Sequence, residues 1–162
     1  MFEKNILINR RSRICDEVQS GLIFLYGNNP VPMNYPSNTL RFRQDSNFLY
    51  YCGLDFPGLN VIIDTDSKRS VLFGDDLTSD DIVWEGSRIS IMDMATRVGI
   101  EESMPTSKLE QYLSSYIGKI HYLPAYRADH INLLKSLFKN NIHTSKELIS
   151  SVIAQRSIKA PE

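Results

Sequence analysis

Cysteine is scarce in this chain: Cys15 and Cys52 are the only two, and they have neither metal-site spacing nor the density of a disulfide scaffold. They read as small reduced hydrophobes. Phosphate-cradling loops are missing, because the eight glycines are scattered with neither a GxGxxG nor a Walker A pattern. There is no GxSxG elbow, and neither cysteine has a histidine beside it in sequence, so nothing points to nucleophilic catalysis. No apolar run approaches the ~18–20 residues of a membrane span, and Met-Phe-Glu-Lys-Asn does not open like a signal peptide. The chain therefore reads as cytoplasmic. An excess of one charge sign is also lacking: the net charge is -1, which leaves no electrostatic case for nucleic acid. His121, His130 and His143 fall in an expected strand, helix and loop without HxxxH or HxH spacing. They read as structural or surface histidines rather than metal ligands.

What is present fits one soluble globular domain. The chain has 162 residues, 42% hydrophobic and 23% charged, enough to bury roughly 68–70% of its unfolded surface. An opening helix is expected over residues 3–19, with Arg10, Arg11 and Arg13 joining Asp16 and Glu17 on a solvated face. Leu22-Ile23-Phe24-Leu25-Tyr26 reads as a short buried strand, and Asn28 to Asn38, with Pro30, Pro32 and Pro36, as a rather rigid loop. Phe48–Cys52 is expected as a strand; Leu59–Ile63 and Ser70–Phe73 flank a turn and form a hairpin. Ser79-Asp80-Asp81 is a capping-type start, and Ser90 caps a helix that Gly99 ends. Helices over Thr106–Tyr116, Ala128–Lys139 and Thr144–Ser157 enclose a strand at Lys119–Leu123. The order predicts an α/β domain with a mixed sheet flanked by helices, antiparallel at the hairpin and parallel where helices cross over.

Two carboxylate groups invite a metal reading. Asp75-Asp76 with Asp80-Asp81 could hold Mg²⁺ or Mn²⁺, but carboxylates at a helix entry also cap free N–H groups, and no further ligand is evident. Asp64-Thr65-Asp66 suits a tight turn better than a metal-binding DxD. Trp84, followed by Glu-Gly, reads first as core, with an exposed aromatic contact as the alternative.

The richest stretch is Arg41-Phe42-Arg43-Gln44-Asp45-Ser46-Asn47-Phe48-Leu49-Tyr50-Tyr51-Cys52-Gly53-Leu54. Polar groups this dense beside a core element form either an ion-pair knot or the wall of a cleft. With Asn34-Tyr35-Pro36-Ser37-Asn38, Gly53-Leu54-Asp55-Phe56-Pro57-Gly58, Leu72-Phe73-Gly74-Asp75-Asp76, Asp80-Asp81-Ile82-Val83-Trp84-Glu85-Gly86 and Leu123-Pro124-Ala125-Tyr126-Arg127, it makes an ordered series. That series resembles the N-terminal domain of Xaa-Pro aminopeptidases (aminopeptidase P), of the creatinase/prolidase family.

The resemblance implies a ribonuclease H-like fold over residues 1–155, with 156–162 starting a connector to a catalytic domain absent from this chain. It implies a non-catalytic role: shaping substrate access and oligomer contacts, dimeric or tetrameric, for a metallopeptidase that removes an N-terminal residue preceding proline. Its partners would be that C-terminal domain and proline-containing peptides, and the dinuclear metal site, typically Mn²⁺, would lie outside this chain. Arg43, Gln44 and Asp45 match a motif near the interdomain cleft, and Asn38 aligns with a polar position facing it. Trp84, a further candidate for the substrate cleft, matches a tryptophan that reaches a neighbouring subunit's active site in some tetrameric relatives, which leaves its core and contact readings both open. A peptide-binding module without catalysis is the alternative. A nuclease would need Asp64, Asp75 and Asp81 to converge on a metal.

Overall fold

The computed structural model describes residues 3–139 and 144–158. His143 and the residues from Lys159 to Glu162, where a histidine and a connector are expected, lie outside them. The described elements are helix α1 (Lys4–Glu17), strand β1 (Leu22–Tyr26), α2 (Ser46–Cys52), β2 (Asn60–Asp64), β3 (Ser70–Phe73), α3 (Ser79–Glu85) and α4 (Ile91–Val98). They continue as β4 (Glu102–Met104), a 3-10 turn (Thr106–Lys108), α5 (Leu109–Ser115), β5 (Ile120–Tyr122), α6 (Ala128–Phe138) and α7 (Lys146–Ser157).

One mixed sheet of order β4-β3-β2-β1-β5 organises the chain. The hairpin β2/β3 is antiparallel, as is β1/β2. The crossovers, β3 to β4 and β1 to β5, are parallel. Side chains alternate across the pleat, so β1 divides between two cores. Ile23 and Leu25 join Val61, Ile63 and Leu72 beneath α1, α2, α4 and α7. Leu22, Phe24 and Tyr26 join Ile62, Val71 and Phe73 beneath α5 and α6. Burial on both faces explains why β1 is continuously apolar instead of alternating.

Phe48–Cys52 is helical, not the expected strand. Asp45 accepts the backbone N–H of Asn47 and Phe48, and Gly53 closes the segment at φ 67°, in the left-handed region. Phe48, Tyr51 and Cys52 are the buried positions, the i, i+3, i+4 spacing of a helix face. Cap, glycine stop and period together outweigh the strand preference of the aromatics.

The arginines of α1 also depart from expectation. Arg13 is exposed, but Arg10 and Arg11 are buried. Arg11 donates to Tyr51 O at 2.9 Å near the end of α2, and to Val98 O and Gly99 O, each at 2.7 Å, at the end of α4. Arg10 donates to Tyr50 O and lies 3.9 Å over the Tyr50 ring. The guanidinium groups satisfy helix carbonyls that have no partner within their own helices, and favour the negative ends of those dipoles. A solvated face would have left those carbonyls unpaired.

On the same face of the sheet as its register partner Ile23, His121 is fully buried, its Nδ1 2.8 Å from the hydroxyl of Ser145, which caps α7. Burial, the main cause, and the charge of Lys119 push its pKa below the usual histidine value; Glu147 and the backbone at Gln19 and Ser20 oppose the shift only in part. The unfolded chain therefore takes up this proton first, so His121 leaves stability intact above about pH 6.5 and erodes it as the pH falls further. Urea midpoints are expected to drop between pH 7.5 and 5.5, and His121→Gln to flatten that dependence. A midpoint equal at both pH values would refute this.

Candidate functional site

Strand directions decide where loops gather. β3 and β4 run with β1, as does β5, so the carboxyl ends of four strands share one edge of the sheet. In open α/β sheets that edge is where ligand crevices form. Three sequence motifs leave from it: the proline loop after β1, the aspartates and α3 after β3, and Leu123–Arg127 after β5.

Gln44 fastens the first of these. It is 4% exposed; its Oε1 accepts from Asn28 N at 2.6 Å and Asp45 N at 2.9 Å, and its Nε2 donates to Phe56 O at 2.8 Å. It packs so close to Gly27 that a Cβ there would lie 3.0 Å from Nε2 and 2.7 Å from Leu59 O. Beside it Asn28 Nδ2 donates to Arg43 O at 2.7 Å. The Arg43 side chain is exposed and makes no hydrogen bond or ion pair among the described residues. Asn38 closes the tip: its N–H bonds Tyr35 O, its carbonyl accepts from Met33 N, and its Nδ2 donates to Asn34 Oδ1 at 2.8 Å. Pro32 pairs with Thr39, and Met33, Tyr35 and Leu40 project from this brace into solvent.

Asp45 faces a recess of about 120 Å³ between the ends of β1 and β5, shared with Tyr26, Asn28, Asn47, Tyr126 and His130. Tyr26 donates to Leu123 O at 2.6 Å, and burial keeps that hydroxyl protonated by raising its pKa. His130 Nε2 lies 3.0 Å from Gly27 O, its ring 4.6 Å from that of Tyr26. Arg127 is held by Asp129 through two contacts, at 3.0 and 3.1 Å. Asn28, Tyr126 and His130 were not singled out for this site from sequence. The Leu123–Arg127 motif was the available signal, since a motif after a parallel strand falls at this edge.

Trp84 is 87% exposed, with Val83 and Ile82 also in solvent on α3, so its core reading is wrong. Only seven residues long, α3 turns outward and leaves no face for the indole to cover.

The carboxylates bond to the backbone and to neighbouring side chains. Asp81 forms a capping box with Thr78, Asp76 accepts from Ile91 N and Asp75 from Thr106 N. Asp64 accepts from Asp66 N and Ser67 N in the expected tight turn. It ends β2, which runs against β1 and β3, so it lies at the opposite edge of the sheet from Asp75 and Asp81. The convergence a nuclease requires is absent. Among the described residues no three His, Cys, Asp or Glu side chains are placed to hold a metal ion.

This is an α/β domain whose working edge presents polar anchors and exposed aromatics. The aminopeptidase P N-terminal domain model matches residues 7–123, and the chain belongs to that family. A mitochondrial intermediate cleaving peptidase 55 of Arabidopsis thaliana is 31% identical over 111 residues, 68% of this chain and 22% of that protein. A probable Xaa-Pro aminopeptidase of Metarhizium robertsii is 26% identical over 95 residues, 59% of this chain and 21% of that protein. Proline aminopeptidase P II of Yersinia pestis shares the fold at a TM-score of 0.72 and 18% identity, over 90% of this chain and 36% of its own. Aminopeptidase P of Escherichia coli with the inhibitor Pro-Leu does so at 0.70 and 20%, over 85% and 34%. The chain spans about a fifth of the length of these curated relatives.

Proposed function

We propose that this chain acts as the non-catalytic N-terminal domain of an Xaa-Pro aminopeptidase, shaping access to a metallopeptidase that removes the residue preceding proline. The observation that carries this reading is the family match over residues 7–123. In this reading 1–155 is the domain and 156–162 begins the connector, α7 carrying the chain out to Ser157. Arg43, Gln44, Asp45 and Asn38 belong to the wall of the substrate cleft: Gln44 as its internal brace, Arg43 as an exposed cation beside it. Trp84, with Val83, serves an oligomer contact in a dimer or tetramer, which its exposure supports. The metal pair, Mn²⁺ by family habit, belongs to the catalytic domain.

We place the protein in the cytoplasm. A reducing compartment suits Cys15 and Cys52, free thiols whose pKa values burial pushes up to about 11 and about 12. The test is hydrolysis of an Xaa-Pro peptide by the 162-residue chain with added Mn²⁺. No turnover above a metal-only blank is expected; sustained turnover that fractionates with the chain overturns the reading.

A further inference from the structure

We propose that the recess between the ends of β1 and β5 binds an aliphatic ammonium group. Its polar wall contains two unpaired acceptors. Both bonds of the Asp45 carboxylate to backbone N–H fall on Oδ1, leaving Oδ2 without a partner among the described residues. Asn28 lines the same recess at 8% exposure, and its Oδ1 is buried without a hydrogen-bond partner. A buried acceptor left unpaired costs on the order of 1–3 kcal/mol, and a bound N–H donor that reached it through a small turn of the Asn28 amide would remove that cost.

The remaining wall is aromatic. Phe24, Tyr26 and Phe48 form the buried part, and Tyr126 stands 89% exposed at the mouth. Ring faces attract a cation while packing against its methylene groups, and a carboxylate beside them adds a charge-assisted bond. An anion would meet Asp45 and the negative faces of the rings. The Arg127 guanidinium, the obvious attraction for an anion, is already paired to Asp129 and donates to Asn29 O at 3.0 Å. His130 directs Nε2 at Gly27 O.

Size agrees with this chemistry. Its volume of about 120 Å³ is small beside the roughly 300–1,000 Å³ of common ligand pockets. That admits a short alkyl chain with one charged head and excludes a folded peptide. An ammonium of this kind occurs on a lysine side chain or at a peptide N-terminus, and the recess chemistry is common to both. The inference does not depend on the peptidase reading, since binding is read on this chain without metal or turnover.

The test titrates the 162-residue chain, followed by amide NMR, with Nα-acetyl-lysinamide, alaninamide and the neutral Nα-acetyl-norleucinamide. The Asn47 and Phe48 amides, bonded to Asp45, are the reporters. Saturable shifts are expected from at least one amine, with a dissociation constant on the order of 1–10 mM for so small a ligand. The lysine derivative binding alone identifies a side-chain site; alaninamide binding alone, a peptide N-terminus. Asp45→Asn keeps an equally good helix cap and is expected to weaken binding about tenfold. Should that variant fail to fold, Tyr126→Ala, a change at an exposed position, is expected to weaken it severalfold. No saturable shift from either amine, equal shifts from the neutral isostere, or unchanged affinity in a folded variant overturns the proposal.

Discussion

Replacing Arg11 with alanine is expected to lower the stability of the domain by about 3–5 kcal/mol, the order expected when two or three carbonyls lose hydrogen bonds from a charged donor. The guanidinium is 4% exposed and holds three carbonyls on two different helices. Its loss leaves Tyr51 O and Val98 O buried, and Gly99 O half-buried, without this donor, at about 1–3 kcal/mol for each buried group before relaxation or entry of water. Against a total of about 5–15 kcal/mol, that is a large share, equivalent to a fall of roughly 10 °C in Tm for a chain of this size. Lysine should not rescue it, because one ammonium on a flexible stem cannot reproduce the planar fork that spans two helix ends. Arg13→Ala, an exposed change on the same helix, serves as the control and should stay within about 0.5 kcal/mol. Urea unfolding of the three variants measures these differences; an alanine cost below about 1 kcal/mol would show that the α2 and α4 ends find other donors.

Replacing Gln44 with alanine is expected to cost about 2–4 kcal/mol and to loosen the loop after β1. One side chain here accepts from two backbone N–H groups and donates to Phe56 O, joining the loop start, the α2 cap and the turn before β2. Gln44→Glu separates packing from bonding: the shape stays, but a carboxylate oxygen then faces the Phe56 carbonyl and the donor is gone. Both variants should speed amide exchange at Asn28 and Asp45 well before global unfolding. If exchange there matches the parent chain, the brace lies elsewhere.

The sheet order could be anticipated in outline because its signals are local: an apolar run, turn residues at 64–69, glycine stops. β4 escaped, since Glu102-Ser103-Met104 is three residues with no alternation, and its pairing with Val71–Phe73 is a tertiary event. α2 was misread although its helical marks were present: an aspartate cap, buried spacing of three and four, and a glycine stop, outvoted by aromatic propensity. Burial of Arg10 and Arg11 has no local signature, because what demands a donor is carbonyls some 40 and 87 residues away. The candidate site divides the same way. Arg43, Gln44 and Asp45 stand out as a polar knot in sequence, yet only coordinates show that Gln44 points inward. Asn28 and Tyr126 are ordinary loop residues until β1 and β5 run side by side.

The pairing of β1 with β5 also bears on biosynthesis. Leu22 lies opposite Ile120, and α7 packs against α1. A nascent chain that has emerged only through β4 therefore carries β1 with one bare edge and α1 with part of its apolar flank uncovered. Contacts this distant in sequence slow folding and lengthen exposure to aggregation. The domain can close only after nearly all of it has left the ribosome, which makes a chaperone that shields β1 and α1 most useful late in synthesis.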